Sequence, residues 1–187
     1  RELVINDQAS LIQTALAAYG AAAAQTEAKL VYTALRENPT LSDGMPVFHA
    51  EFGNLFGSFD ENSNFANALA ALRRGMTMQD DDISDLDAAH LIVSADMEYR
   101  CKKTVHEAGM GDQILVTATA HLPTGEWFLL PDAGIQPVVS AIRLAGSKTP
   151  VRLEPQKTPV EVDGFTIRAG SDLGAAMVSR HAIRGVA

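Results

Sequence analysis

From Asp7 to about Glu37 the chain repeats apolar residues at three- and four-residue spacing: Leu11, Ile12, Ala15, Leu16, Tyr19, Ala22, Ala23, Leu30, Val31, Ala34 and Leu35. That period predicts one long amphipathic helix. Asn6 or Asp7 caps its start, and Asn38-Pro39 stops it because the residue before a proline avoids the α region. At about 1.5 Å per residue, some 30 residues make a rod of roughly 45 Å. This rod is longer than a compact domain of such a chain needs, and its alanine face lets another backbone lie close.

The rest of the chain reads as short elements between turns. Residues 39–64, PTLSDGMPVFHAEFGNLFGSFDENSN, are dense in Gly, Pro, Asn, Asp and Ser, which predicts irregular chain with at most short strands. A loop of that length usually serves function or partner contact. FANALAALRRGM at 65–76 predicts a second helix capped by Asn64, and QDDDISDLD at 79–87 an acidic connector. LIVSAD at 91–96 predicts a buried strand followed by a helix to about His106. QILVTATAHL, EWFLLPD and QPVVSAIRLAG then read as strands separated by glycine turns, and VRLEP with PVEVDGFTIRAGSDLGAAMVS completes a β-rich end. The pattern is α+β.

Composition narrows the function classes. The 187 residues are 47% hydrophobic, enough for a real core in one or two domains. Net charge is −8 with basic residues scattered, which argues against a dedicated nucleic-acid or anionic-membrane binder. The single cysteine, Cys101, excludes an internal disulfide framework and fits an intracellular origin. The longest apolar run, ALAAYGAAAA at 15–24, falls short of the roughly 18 residues a membrane span needs. The chain starts at Arg1, without methionine, inside a β-type apolar run, and reads as a piece of a longer polypeptide.

No motif makes a convincing active site. His49 and Glu51, two apart, suit one face of a strand, but zinc needs three or four convergent ligands, and His90, His106, His121 and His181 are scattered singly. QDDDISDLD lacks the glycine and terminal glutamate of a calcium loop. GMGDQI at 109–114 has Ile114 where a dinucleotide loop needs a small residue, so it reads as a turn. Cys101 with His106 five residues on does not align in a helix, and a buried cysteine is the plain reading. No catalytic, cofactor-binding or metal residue is therefore assigned, and no cofactor is expected. Trp127, the only tryptophan, reads as core packing, with an interface anchor as the alternative.

The ordered set of segments resembles a family. RELVINDQASL, the Ala-rich helix with AAAAQTEAKLVYTALRENPTLSDGMPVFHAEFGNL, and EWFLLPDAGIQPVVSAIRLAGSKTPVRLEPQKTPVEVDGFTIRAGSDLGAA resemble the major head protein of Mu-like phages and prophages, including versions fused to a prohead protease. FTIRAGSDLGAAMVSRHAIRG also resembles the last strands of the wider tailed-phage capsid fold, the Hong Kong ninety-seven type. Locally the chain departs from the pattern: Phe52 stands where a second histidine is expected, and the stretch before LIVSAD is more acidic and lacks a proline.

The resemblance implies a peripheral domain over 1–86 with a spine helix at 8–37, a mixed α/β axial domain over 87–150, and C-terminal strands over 151–187 that return to the peripheral domain and end near the axial one. It implies an N-terminal arm and an extended loop before Arg1, absent from this chain, which would then assemble poorly alone. The implied function is a structural capsid protein, not an enzyme, that self-associates into hexamers and pentamers of an icosahedral shell around double-stranded DNA. Its implied partners are itself, with scaffold and prohead protease during assembly, and neither sequence-specific DNA nor membrane. Assembly is expected in the bacterial host cytoplasm. Phe48, Phe52, Phe56, Phe59 and Trp127 then stand out as buried anchors or subunit contacts, with His49 and Glu51 fixing a turn. The competing readings are a metal-dependent hydrolase using His49 and Glu51, or another phage structural module.

Overall fold

The first helix, α1, runs over Ala9–Glu37 as the apolar spacing requires. The structure is a computed structural model that describes residues 9–59, 63–75, 85–143, 151–156 and 166–186. The expected caps Asn6 and Asp7 and most of the acidic connector lie outside these residues. Asn38 ends α1 by taking a left-handed conformation at φ +48°, open to asparagine because its short side chain can bond locally. Pro39 follows, so the helix stops where the sequence places the stop.

The described residues 39–59 are irregular as expected: they hold an isolated bridge between Thr40 and Pro46, a 3₁₀ turn at Ala50–Phe52, and the two-residue strand β1 (Leu55–Phe56). Helix α2 covers Asn64–Arg74. Here the expected cap is corrected. Ser63 occupies the capping position, while the Asn64 side chain turns back to donate to the Ser58 carbonyl. Strand β2 (Ala88–Ser94), helix α3 (Glu98–Glu107), and strands β3 (Leu115–Thr119), β4 (Trp127–Pro131) and β5 (Val139–Arg143) follow in the expected order. Strands β6 (Arg152–Gln156), β7 (Thr166–Gly170), β8 (Leu173–Met177) and β9 (Ile183–Gly185) complete an α+β chain.

These elements form two compact units. The first takes residues 1–31 and 141–175, the second 32–140 and 176–187.

In the first unit β6 and β7 pair antiparallel, with Leu153 opposite Ala169 and Glu154 opposite Arg168. A two-stranded ribbon is marginal by itself, so it needs support. Charged side chains line one of its faces, where Arg152 Nε lies 2.8 Å from Glu154. Arg143 grips Glu27 of α1 with two hydrogen bonds, Nε to Oε1 at 2.8 Å and Nη2 to Oε2 at 2.7 Å. That fork-on-carboxylate geometry holds the Glu27 carboxyl below its ordinary range.

The second unit is built on a five-stranded sheet in the order β1-β9-β4-β2-β3. Strands β1 and β9 are parallel, as are β2 and β3, and both β9 and β2 oppose β4. Four strands therefore point one way and β4 alone runs back. The run WFLLP is apolar throughout because both faces of β4 are covered. Trp127 and Leu129 enter a core shared with Phe65, Ala68 and Leu72 of α2 and Cys101 and Val105 of α3. Phe128 faces the opposite core, with Leu35, Val47, Phe48 and Met177.

Candidate functional site

The stretch VFHAEFGNLF, where sequence reasoning placed the richest collection of side chains, is a partly buried irregular segment whose buried polar backbone groups need partners. Two asparagines supply them. Asn38 accepts from Phe48 N at 2.7 Å and donates to Phe48 O at 2.9 Å, pairing with that residue as a neighbouring strand would. Asn54, fully buried, accepts from His49 N at 2.9 Å and donates to Val47 O at 2.8 Å. Pro39 O takes the Val47 N–H and Phe52 N donates to His49 O. The segment thus lies between two side-chain amides, which frees Val47 and Phe48 to be buried completely.

His49 and Glu51 have a local task. The His49 ring Nδ1 accepts from Glu51 N at 3.3 Å and caps the 3₁₀ turn, which Gly53 closes at φ +62°. The Glu51 carboxylate stands 3.9 Å from the same ring and is exposed. Among the described residues no group of three or more His, Cys, Asp or Glu comes together. The pair therefore fixes the turn.

The aromatic residues that follow turn inward. Phe48, Phe52, Phe59 and Trp127 are buried and Phe56 is half-buried. Phe59 meets Trp127 edge-on at 5.4 Å between ring centroids, and Phe65 lies 5.2 Å from Phe59. The indole N–H donates to Gly57 O at 3.2 Å, so Trp127 is satisfied at its polar end. As anchors these residues hold the unit's own interior.

Two ionic ties fasten the segment to the C-terminal chain, and the sequence alone gave no sign of either. Arg180 stacks 4.1 Å above the Phe52 ring and reaches Asp43 at 2.5 Å. The Met45 backbone N–H, together with Arg180, holds the Asp43 carboxyl below its usual range. Glu126, buried at 3% exposure, takes Arg184 Nε at 2.9 Å and Nη2 at 2.6 Å on one oxygen, with Arg36 Nε 3.3 Å from the other. Arg184 crosses the faces of Phe128 and Phe48 on its way and gives Nη1 to Arg36 O at 3.2 Å, satisfying an end carbonyl of α1.

The remaining motifs are structural too. Gly109, at φ +70°, receives the α3 terminus and donates to His106 O, so GMG is a helix stop. Cys101 is fully buried, and burial pushes its thiol pKa up to about 12, which removes the thiolate a nucleophile needs. Ser179, His181 and Gln136 form a small knot: Ser179 Oγ lies 2.7 Å from His181 Nδ1, and Gln136 Nε2 is 3.0 Å from Oγ and 3.2 Å from Nδ1. Desolvation, with Arg180 next to it, lowers the His181 pKa.

In the described residues His49 caps a turn, Cys101 is buried in the core, and amides, stacked aromatics and ion pairs tie the irregular chain in place. The particular class follows from comparison: a family model described as phage capsid protein matches residues 1–185, and the chain belongs to that family. Among the curated proteins nothing matches. No solved structure matches either. Sequence resemblance and family match agree on a capsid role.

Proposed function

We propose that this chain is the major head protein of a tailed phage or prophage, of the Mu-like kind and with the Hong Kong ninety-seven type of fold. In this reading α1 is the spine helix of a peripheral domain, and the α/β sheet around β4 belongs to an axial domain. Copies associate into hexameric and pentameric rings of an icosahedral shell that encloses double-stranded DNA. Scaffold and prohead protease act during assembly in the host cytoplasm, and the finished protein resides in the virion.

The observation that carries the reading is the surface of α1. From Ala9 to Thr26 it has no charged residue, yet between Gln13 and Thr26 every residue except Leu16, Gly20 and Ala23 is exposed. A surface helix ordinarily carries a charged outer face. An uncharged, alanine-rich helix open to solvent on a chain of net charge −8 suits burial by neighbouring subunits in a shell. Electron microscopy of the natural gene product tests this: capsomers or closed shells are expected, and their absence under every assembly condition would remove the assignment.

A further inference from the structure

The five-stranded sheet has two ends, and they are protected differently. At one end β1 is only two residues long, a short edge that offers little to pair with. At the other, β3 is a five-residue strand, and β2 is its only strand neighbour among the described residues. Its sequence LVTAT has no proline, lysine or other charge, and its five residues pair with β2 without a break in register, so these devices against edge association are missing from the strand itself. The uncharged character extends further, since residues 113–125 contain no acidic residue, lysine or arginine.

We infer that the open edge of β3 is a contact between two copies of this chain, in which β3 pairs antiparallel with its own counterpart about a two-fold axis at Thr117. This rests on the shell-subunit reading and names one of its contacts. Centring on Thr117 places Val116 opposite the partner's Ala118 and Leu115 opposite the partner's Thr119. The faces then match. Val116 and Ala118 already pack on the core that contains Leu91 and Val93, so pairing extends that apolar face across the axis. On the other face Leu115, 62% exposed, gains cover, and the two Thr117 side chains form a favourable like pair.

Charge at the edge permits this occupant. Two copies of net charge −8 repel, and a charge-free edge lets their backbones come within about 5 Å without opposing like charges. One five-residue ladder covers less than the roughly 1,200 Å² of a stable specific interface, so the isolated contact is weak, with a dimer Kd between about 10 μM and 1 mM.

The test is sedimentation equilibrium of the full chain across that concentration range, with Thr117→Lys and Thr117→Glu beside the unaltered protein. Each substitution sets like charges opposite one another and should raise the dimer Kd about tenfold, whereas an equal mixture of the two should restore dimerisation. Thr117→Cys should form a disulfide-linked dimer on mild oxidation, because opposed residues of an antiparallel pair lie within disulfide reach. Unchanged association of the two charged variants, or no recovery on mixing, would overturn the proposal. So would a monomer whose β3 amides are protected from hydrogen exchange, which would mean that another segment of the same chain covers the edge. Microscopy separates this from the shell reading: shells formed equally well by unaltered and Thr117→Lys protein sink only the β3 contact, and dimers without shells sink only the capsid assignment.

Discussion

Gly185 stands directly against the indole of Trp127, its partner in the β4–β9 ladder. A Cβ at position 185 would lie 1.9 Å from Trp127 Cε2 and 2.0 Å from Nε1. The indole is fully buried and has nowhere to move. Gly185→Ala should therefore lower stability by about 3 kcal/mol and the melting temperature by roughly 6–12 °C. Thermal unfolding checks this, and adding Trp127→Leu should recover part of the loss by removing the clash.

The asparagine bracket gives a second outcome. Asn54→Ala leaves the Val47 carbonyl and the His49 N–H without their amide partners in the interior. The cost should be about 2–4 kcal/mol, since each buried orphan group costs about 1–3. Asn38→Ala should act in the same direction through Phe48. In urea both should lower the midpoint with little change in slope.

Glu126 holds two arginines together from a buried position. Glu126→Ala leaves Arg36 and Arg184 without their shared carboxylate and should destabilise by about 3 kcal/mol, the lower end for breaking a buried pair because the guanidinium groups reach solvent. Arg184→Lys should also weaken the fold, because lysine cannot grip one oxygen through two nitrogens while lying across Phe128 and Phe48. Chemical denaturation of the single and double variants measures the coupling.

Stability should fall in two stages as pH drops. The His181 pKa is lowered in the folded state, so the unfolded chain takes up that proton first. Its contribution is complete above about pH 6.5 and is lost as pH falls through the lowered value. His181→Gln should flatten this stage. The carboxyls of Glu27 and Asp43 are also lowered, by Arg143 and by the Met45 N–H with Arg180 respectively. They account for a second loss below about pH 4 that His181→Gln leaves in place. Melting temperature as a function of pH resolves the two.

Cys101 should react with a thiol-specific reagent only after unfolding. With the thiol fully buried and its pKa near 12, labelling of the native protein at neutral pH should be slower by orders of magnitude than in denaturant. Rapid native labelling would contradict the burial.

The sequence disclosed those features that depend on local chemistry. The α1 period, the stop at Asn38-Pro39, the strands around Leu91 and Trp127, and the turn at Gly109 were legible because spacing and turn residues decide them. Ser63 in place of Asn64 as the α2 cap was not, since the choice depends on Ser58 being near enough to draw the asparagine side chain away. Pairings across long separations were also invisible. Nothing in one sequence links Glu126 to Arg184 or Gly185 to Trp127, because those relationships exist only after β9 has found its place. Whether the aromatic residues after α1 face a neighbour or the interior depends on packing that their spacing does not show.

That place has a consequence for the order of events in the cell. Strand β9 lies inside the sheet, between β1 and β4. Until residue 185 has emerged from the ribosome, those two strands have no partner between them, and Trp127 lacks one side of its enclosure. The second unit therefore cannot close progressively behind the growing chain. Any surface that depends on the completed sheet forms only after β9 has been made and has paired with β1 and β4.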